Sequence, residues 1–427
     1  MTFKCRRVAR KYQSQESHRA FRRVGALAVL FATACGSQGS TTHQGGSPDA
    51  TRWESESAAP EPDDSGPTTD TKTSDRSIES GALDASSFAD VATLQDAATS
   101  NPPSDGATSI GDAGSLEAGV ATIQGAGTFH CVCWADARDN RVNGLLQISG
   151  LDAGSDTYAT VQAKARQILR QFREKLGANS IRIPINEPTV SNAWWNAYKA
   201  VIDTATADGM KVMVGYWAYR NGKPDDETAF KNMWQTVVSE YLNNQLVYFD
   251  IHNEPYGFGE SWNDEAARWL GYFPSIPRGR VIVAGTRYND RIPPVGADHR
   301  FDGCLLQLHL YPYWHRPFTT YEQWIDHMKM VLGDYAARTI LGEWGAIMND
   351  GANFDVSAAA SNGNNEVAYM KAMSDFMHEA GMGSCYWPAL KEGDWYSLMT
   401  LNTSGNTLSL SVVNASGVNS IRWAWNL

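Results

Sequence analysis

The chain predicts an α/β fold, a closed (β/α)8 TIM barrel, from the pattern of residues 125–427. Short apolar runs recur eight times there, and longer amphipathic helix patterns separate them. Apolar strands joined by helices form a parallel sheet that is buried on both faces. Eight such units suggest a closed barrel, in which catalytic residues lie at the carboxyl ends of the strands. An open doubly wound sheet is the alternative, but its usual glycine-rich phosphate turn is missing from the sequence.

The eight predicted strands are apolar along most of their length. They are TFHCVCW (128–134), NSIRIPI (179–185), KVMVGYW (211–217), LVYFDIH (246–252), RVIVAG (280–285), GCLLQLHLY (303–311), TILGE (339–343) and CYWPA (385–389).

Five amphipathic helices are predicted between these strands. The first covers 157–177, with Gly177 as a suitable C-terminal stop. The others cover 194–209, 226–242, 321–336 and 364–381.

Residues 1–35 are typical of an export signal. A segment rich in Arg and Lys precedes an apolar run at 24–34 that is too short to span a bilayer as a helix. The run ends in ATACGS, which resembles the lipobox of bacterial lipoproteins, where the cysteine, here Cys35, is acylated. We therefore expect export, with a lipid anchor at the cell surface; a cleaved signal with an incidental cysteine, giving an extracellular protein, is the alternative.

Residues 36–124 predict a disordered acidic tether. They hold fifteen acidic and three basic residues and almost no branched or aromatic apolar ones, so they cannot bury enough surface to offset chain entropy. The whole chain has a net charge of −11, and an acidic chain without a basic face is a poor partner for nucleic acid. The domain at 125–427 is expected to be a monomer.

Four cysteines follow the tether: Cys131, Cys133, Cys304 and Cys385. Outside the cytoplasm they can form disulfides, and Cys385 can meet Cys131 or Cys133 if their strands are neighbours. The C-x-C spacing lacks the second half of a zinc site, so no metal or cofactor is expected.

Polar residues at the ends of the predicted strands define a candidate site. Two of them are carboxylates, Glu254 and Glu343, on the fourth and seventh strands, which face each other across a barrel of this size. Retaining glycoside hydrolysis needs such a pair about 5–5.5 Å apart. The full set of candidates is Arg182, Asn253, Glu254, His309, Tyr311, Glu343 and Trp387.

Four motifs on these strands resemble glycoside hydrolase family 5, the cellulase family. They are IRIP (181–184), HNEP (252–255), LHLY (308–311) and LGEWG (341–345), and they occur in the family's order. The resemblance covers residues 125–427. It implies a retaining glycosidase that cleaves O-glycosidic bonds, expected to be β, in a poly- or oligosaccharide, with Glu254 as the acid/base and Glu343 as the nucleophile.

The chemistry suits these roles. Glu254 must be protonated before the first step, so we expect an apolar site and the charge of Glu343 to raise its pKa. Glu343 must stay ionised, and Arg182 and Tyr311 are candidate donors to it. Asn253 can donate its amide to the 2-hydroxyl of the sugar.

Tryptophans give a second indication of sugar binding, since flat aromatic faces suit sugar rings. Fourteen of the fifteen lie after residue 125. Trp387 is either the floor under the sugar or an ordinary core residue, and His309 either contacts the sugar or bonds a backbone group or an acid. The tryptophans in or near predicted loops and strand ends are Trp194, Trp195, Trp217, Trp314, Trp344, Trp387 and Trp395.

One departure from the family leaves the substrate open. Family members usually carry a histidine at the end of the third strand, where this chain has Tyr216 and Trp217. Two other functions use the same residues: a surface glycan-binding barrel without activity, and a transglycosylase with the same acid pair. HNE at 252–254 also mimics zinc deaminases, but their downstream P-C-x-x-C is missing.

Overall fold

The structure is a computed structural model, and it describes residues 125–138 and 143–427. The predicted signal at 1–35, with its cysteine Cys35, and the predicted tether at 36–124 lie outside the described residues.

Eight parallel strands form the centre of the fold in the order of the sequence. The last strand pairs with the first through Cys385 and Cys131, so the sheet closes on itself and the predicted (β/α)8 barrel is confirmed. The strands are β1 (His130–Trp134), β2 (Ser180–Ile185), β3 (Lys211–Tyr216), β4 (Val247–Asp250), β5 (Val281–Ala284), β6 (Leu305–His309), β7 (Thr339–Trp344) and β8 (Ser384–Leu390).

Helices surround the strands, and local sequence sets their ends. Thr157 caps the first helix, which continues as a π-helical turn over Phe172–Leu176 and ends at Gly177, in the left-handed conformation (φ 79°) that favours glycine. The α-helices are α1 (Tyr158–Gln171), α2 (Glu187–Ser191), α3 (Trp195–Tyr198), α4 (Ala200–Ala207), α5 (Glu227–Tyr241), α6 (Trp262–Tyr272), α7 (Pro293–Gly296), α8 (Tyr321–Leu332), α9 (Ala358–Ser361), α10 (Asn365–Ala380) and α11 (Ala415–Ala424).

The buried apolar residues form two layers. The larger layer fills the space between strands and helices, and a smaller cluster fills the barrel itself. Alternate residues of a strand point to opposite faces, so Cys131 and Cys133 both point into the barrel. Cys131 forms a disulfide with Cys385 inside the barrel, and Cys133 and Cys304 are buried free thiols.

A β-hairpin follows the barrel, and the sequence analysis missed it. Strands β9 (Met399–Ser404) and β10 (Thr407–Val412) pair antiparallel across Gly405 and Asn406. A Gly-Asn turn between alternating apolar and polar residues is a hairpin signal that could have been recognised. In the described part of the chain, no helix combines the length and apolar character needed to cross a membrane.

The disulfide should contribute to stability, because it joins residues 254 positions apart across the closure of the barrel. We expect the double variant Cys131→Ala/Cys385→Ala to keep its far-ultraviolet circular dichroism but to lose about 2–5 kcal/mol of unfolding free energy in denaturant titration. Cys304→Ala is the matched control, since it removes a buried thiol that forms no disulfide. Equal unfolding free energies for the double variant and the wild type would contradict the prediction.

Candidate active site

One buried guanidinium organises the carboxyl ends of the strands. Arg182 on β2 donates from Nε to Asp250 Oδ2 at 2.9 Å, from Nη1 to Glu343 Oε1 at 2.6 Å and from Nη2 to Asn253 Oδ1 at 2.7 Å. A planar guanidinium can reach three acceptors at once because its donors form a rigid fork. Three strands are thereby joined at the mouth of the barrel.

Two glycines leave space for this polar layer. A Cβ at Gly215 would lie 2.8 Å from Asp250 Oδ2, and a Cβ at Gly342 would lie 2.2 Å from Cγ of Gln307. Real Cβ atoms do not approach other heavy atoms so closely. Because Gly215 on β3 and Gly342 on β7 have no side chain, charged and amide groups can fill the barrel at this level.

Glu343 accepts hydrogen bonds from two donors. Besides Arg182, the hydroxyl of Tyr311 donates to its Oε2 at 2.8 Å. Burial raises the pKa of Tyr311 well above its usual value, and the nearby charge of Glu343 adds to this, so the phenol keeps its proton. Burial also raises the pKa of Asp250 to about 6, although Arg182 acts in the opposite direction.

Glu254 follows β4 and faces Glu343 across His309. Its Oε1 lies 3.1 Å from His309 Nδ1, which is itself 3.6 Å from Glu343 Oε2. One oxygen of each glutamate and the ring nitrogen all lie within 4.8 Å of one another. These three atoms could touch one cation, but the hydrogen bonds around them already give each a partner, and we assign no metal here.

The neighbour of His309 determines which ring nitrogen carries the proton. The amide orientation that satisfies Gln307 places its nitrogen on Asp250 Oδ2 and its oxygen on His309 Nε2 at 2.7 Å. His309 Nε2 must then be the protonated nitrogen. Burial lowers the pKa of His309 well below its usual value, and the charge of Arg182 acts in the same direction. The ring is therefore neutral, and its Nδ1 faces Glu254 as an acceptor.

Strand periodicity explains why His309 and Tyr311 reach the same site. Gln307 and His309 are two residues apart on β6, so both point into the barrel, and Tyr311, which follows the strand, reaches Glu343 with its hydroxyl. The register between β6 and β7 shifts after Leu308, which brings His309 opposite Glu343. His309 thus bonds an acid, which was one of the two roles left open by the sequence.

Aromatic side chains line a cleft of about 740 Å³ above the two glutamates. Trp217 and Trp387 meet there with ring centres 5.3 Å apart, and Trp395 stands at the rim with 65% of its surface exposed. Trp387 is thus a cleft residue. The sugar-binding expectation is wrong for three other tryptophans, which are buried in the core because they pack between strands and helices: Trp194, Trp195 and Trp344.

The two residues that replace the expected histidine at the end of β3 lie in different surroundings. Trp217 points into the cleft, whereas Tyr216 is buried away from it and donates its hydroxyl to Glu187 Oε1 at 2.8 Å. The cleft wall at this place is therefore an indole instead of an imidazole.

Several residues of the site were missed by the sequence analysis. Asp250 and Gln307 interrupt apolar strands at inward-pointing positions, and that pattern could have identified them. The ammonium of Lys391 lies 3.2 Å from Asp394 Oδ2 and 5.1 Å from the ring centre of Trp387. Lys391 belongs to a loop, where no such pattern identifies it.

A closed parallel barrel with two carboxyl groups at its mouth and aromatic walls is the arrangement of a barrel glycosidase. The profile of the family described as cellulase, glycosyl hydrolase family 5, matches residues 137–393. The chain belongs to this family, and it is accordingly a glycosidase. No curated protein sequence matches the chain.

Several solved structures are similar in fold. A beta-glucanase from Saccharophagus degradans in complex with cellotetraose shares 16% identity, with 70% of this chain and 88% of that chain covered and a TM-score of 0.49. A GH5-4 broad specificity endoglucanase from Clostridum cellulovorans shares 14% identity, with 71% and 98% covered and a TM-score of 0.49. A GH5 cellulase from an Icelandic hot spring isolate shares 14%, with 63% and 85% covered and a TM-score of 0.46.

Proposed function

We propose that the protein hydrolyses β-linked poly- or oligosaccharides with retention of anomeric configuration. The observation that supports this most directly is that oxygens of Glu254 and Glu343 lie within 4.8 Å of each other. Retaining glycosidases have carboxyl groups about 5–5.5 Å apart, whereas inverting ones need about 6.5–9.5 Å to admit a water.

The two glutamates take different parts in a double displacement. Glu343 attacks the anomeric carbon, and the bond from that carbon to the leaving oxygen breaks as Glu254 gives this oxygen its proton. Water then attacks the glycosyl ester, Glu254 takes a proton from it, and Glu343 leaves as a carboxylate. The proton balance closes over the two steps.

The surroundings of each glutamate favour these parts. Arg182 and Tyr311 both donate hydrogen bonds to Glu343, which orient this carboxyl group for nucleophilic attack. The acceptor nitrogen of His309 faces Glu254, and an acceptor favours a carboxyl group that still carries its proton. Arg182 also holds the amide oxygen of Asn253, which turns the amide nitrogen toward donation to a sugar hydroxyl.

A substrate screen tests the proposal and defines the sugar. Purified residues 125–427 should release reducing ends from one or more of the β-glucans, mannans, xylans and galactans, and Glu343→Ala should release none. Azide should restore turnover of an activated aryl glycoside by this variant and give the glycosyl azide of opposite anomeric configuration, because the small anion enters the space of the lost carboxylate. Normal activity of Glu343→Ala would exclude it as the nucleophile.

Glu254→Ala should distinguish substrates by their leaving groups. A dinitrophenolate leaves without a proton, so turnover of the dinitrophenyl glycoside should fall far less than that of the polysaccharide, for which a general acid contributes about 10²–10⁴-fold. Comparison of kcat/KM on both substrates checks this. A similar loss on both would argue against an acid role.

His309→Leu should change the pH dependence of kcat/KM. Without an acceptor for its proton, the protonated acid loses a hydrogen bond worth roughly 1 kcal/mol, so the basic limb should move to lower pH by about 0.7 of a unit. His299→Leu is the control, since His299 lies before β6 begins, at the opposite end from His309. An unchanged basic limb in His309→Leu would show that the acid does not depend on this histidine.

A further inference from the structure

One tryptophan on the outside of the barrel is exposed as much as the aromatic residues of the cleft. In the described part of the chain, five aromatic side chains are strongly exposed, and three of them, Tyr288, Tyr313 and Trp395, line the cleft. The other two are Tyr158 on helix α1 and Trp423 on helix α11. Trp423 leaves 47% of its surface exposed.

Contacts with helix α10 fix the orientation of the Trp423 ring. His378 stacks on one face, with ring centres 3.6 Å apart and planes 9° apart, and its Nδ1 donates to Trp423 O at 2.8 Å. The indole Nε1 donates to Asp375 Oδ1 at 2.9 Å, and the same oxygen accepts from Lys371 Nζ at 2.7 Å. The ring is thus held at one face and at one edge. A side chain that is already ordered loses less conformational entropy when a ligand binds to it.

A groove of about 580 Å³ lies against Trp423, between helices α10 and α11 and the loop that follows β7. Lys371 and Ser374 line it, and they precede His378 by about two turns and one turn of α10. The groove is therefore on the side of the indole away from His378. The ammonium of Lys371 lies there, 6.0 Å from the ring centre. This groove shares no lining residue with the cleft.

Polar groups of both kinds surround the ring in this groove. Asp355 and Asn419 are exposed, and Asn419 Nδ2 donates to Asp355 Oδ2 at 2.8 Å. Lys371 and Arg422 supply donors, and Asp355 and Asp375 balance their charges. A sugar matches this set, because its apolar face stacks on an aromatic ring while its hydroxyls both donate and accept. An anionic polymer would require an excess of cations, which the two aspartates remove.

We propose that this groove is a second binding site for the polysaccharide, in which a sugar unit stacks on Trp423 while the cleft cleaves elsewhere. The inference rests on the proposed function, because the groove holds the polymer that the cleft cleaves. The enzyme then retains a polymer at two places. A tetrasaccharide that is bound in the cleft is cleaved whether or not the groove is occupied.

The test compares binding and cleavage of polymers with cleavage of short substrates. The probes are mixed-linkage β-glucan, glucomannan, arabinoxylan and β-1,4-galactan, each with the tetrasaccharide of its main-chain sugar. Binding is measured by retardation in native gels that contain the polymer, in the Glu343→Ala background so that the polymer stays intact. Trp423→Ala should weaken binding to the polymer by about fivefold and lower kcat/KM on it by about two- to fivefold. It should leave kcat/KM on the tetrasaccharide within about 1.5-fold, because the cleft is unchanged.

Tyr158→Ala is the matched control, since Tyr158 is the other strongly exposed aromatic residue outside the cleft, and it should bind and cleave as its parent does. Equal retardation of Trp423→Ala and its parent, or equal losses of kcat/KM on polymer and tetrasaccharide, would overturn the second site while the glycosidase proposal stands. A wild-type enzyme that cleaves none of these polymers and tetrasaccharides would overturn the proposed function and, with it, this inference.

Discussion

The buried ion pairs of Arg182 are the interaction on which the rest of the site depends. One guanidinium, almost inaccessible to solvent, forms ion pairs with two carboxylates from different strands, Asp250 at 2.8 Å and Glu343 at 2.6 Å. Taking these charges out of water is expensive, and removal of one partner from such a group costs about 3–5 kcal/mol because the other charge stays buried. The network therefore positions the proposed nucleophile more than it stabilises the barrel.

Asp250 has a specific part in this arrangement. It does not line the cleft, yet it fixes the Nε edge of Arg182 and orients the amide of Gln307, which in turn gives His309 its tautomer. Glu254 is thus connected to Glu343 through four side chains inside the barrel, those of His309, Gln307, Asp250 and Arg182. A lysine at 182 could not make the same set of contacts, because a single ammonium lacks the planar fork.

Features that depend on local sequence patterns could be predicted from the sequence, whereas features that depend on contacts between distant residues could not. Strand alternation and helix spacing are local patterns, and they predicted all eight barrel strands. The cysteine pair stayed open because both Cys131 and Cys133 point inward, and only the pairing of β1 with β8 brings Cys131 opposite Cys385. Tryptophans near predicted loops were not separable into core and cleft residues, since Trp344 is buried at the end of β7 while Trp387 is partly exposed in the middle of β8.

The contacts of Asn289 show why one pair of cleft residues, Tyr256 and Tyr288, whose ring centres lie 4.5 Å apart, was beyond sequence analysis. Nothing in the local pattern around Tyr288 distinguishes it from an ordinary loop tyrosine, because its significance comes from residues far away in the chain. Asn289 ties its loop to the carbonyl of Asn253 and to the amide of His309. A loop attached to the backbone beside Glu254 keeps a fixed position relative to that carboxyl group, and side chains held on such a rigid support are positioned more precisely than those of a free loop. Arg287 and Asn289 in this loop have φ of 62° and 61°, which non-glycine residues seldom adopt without support from the surrounding structure.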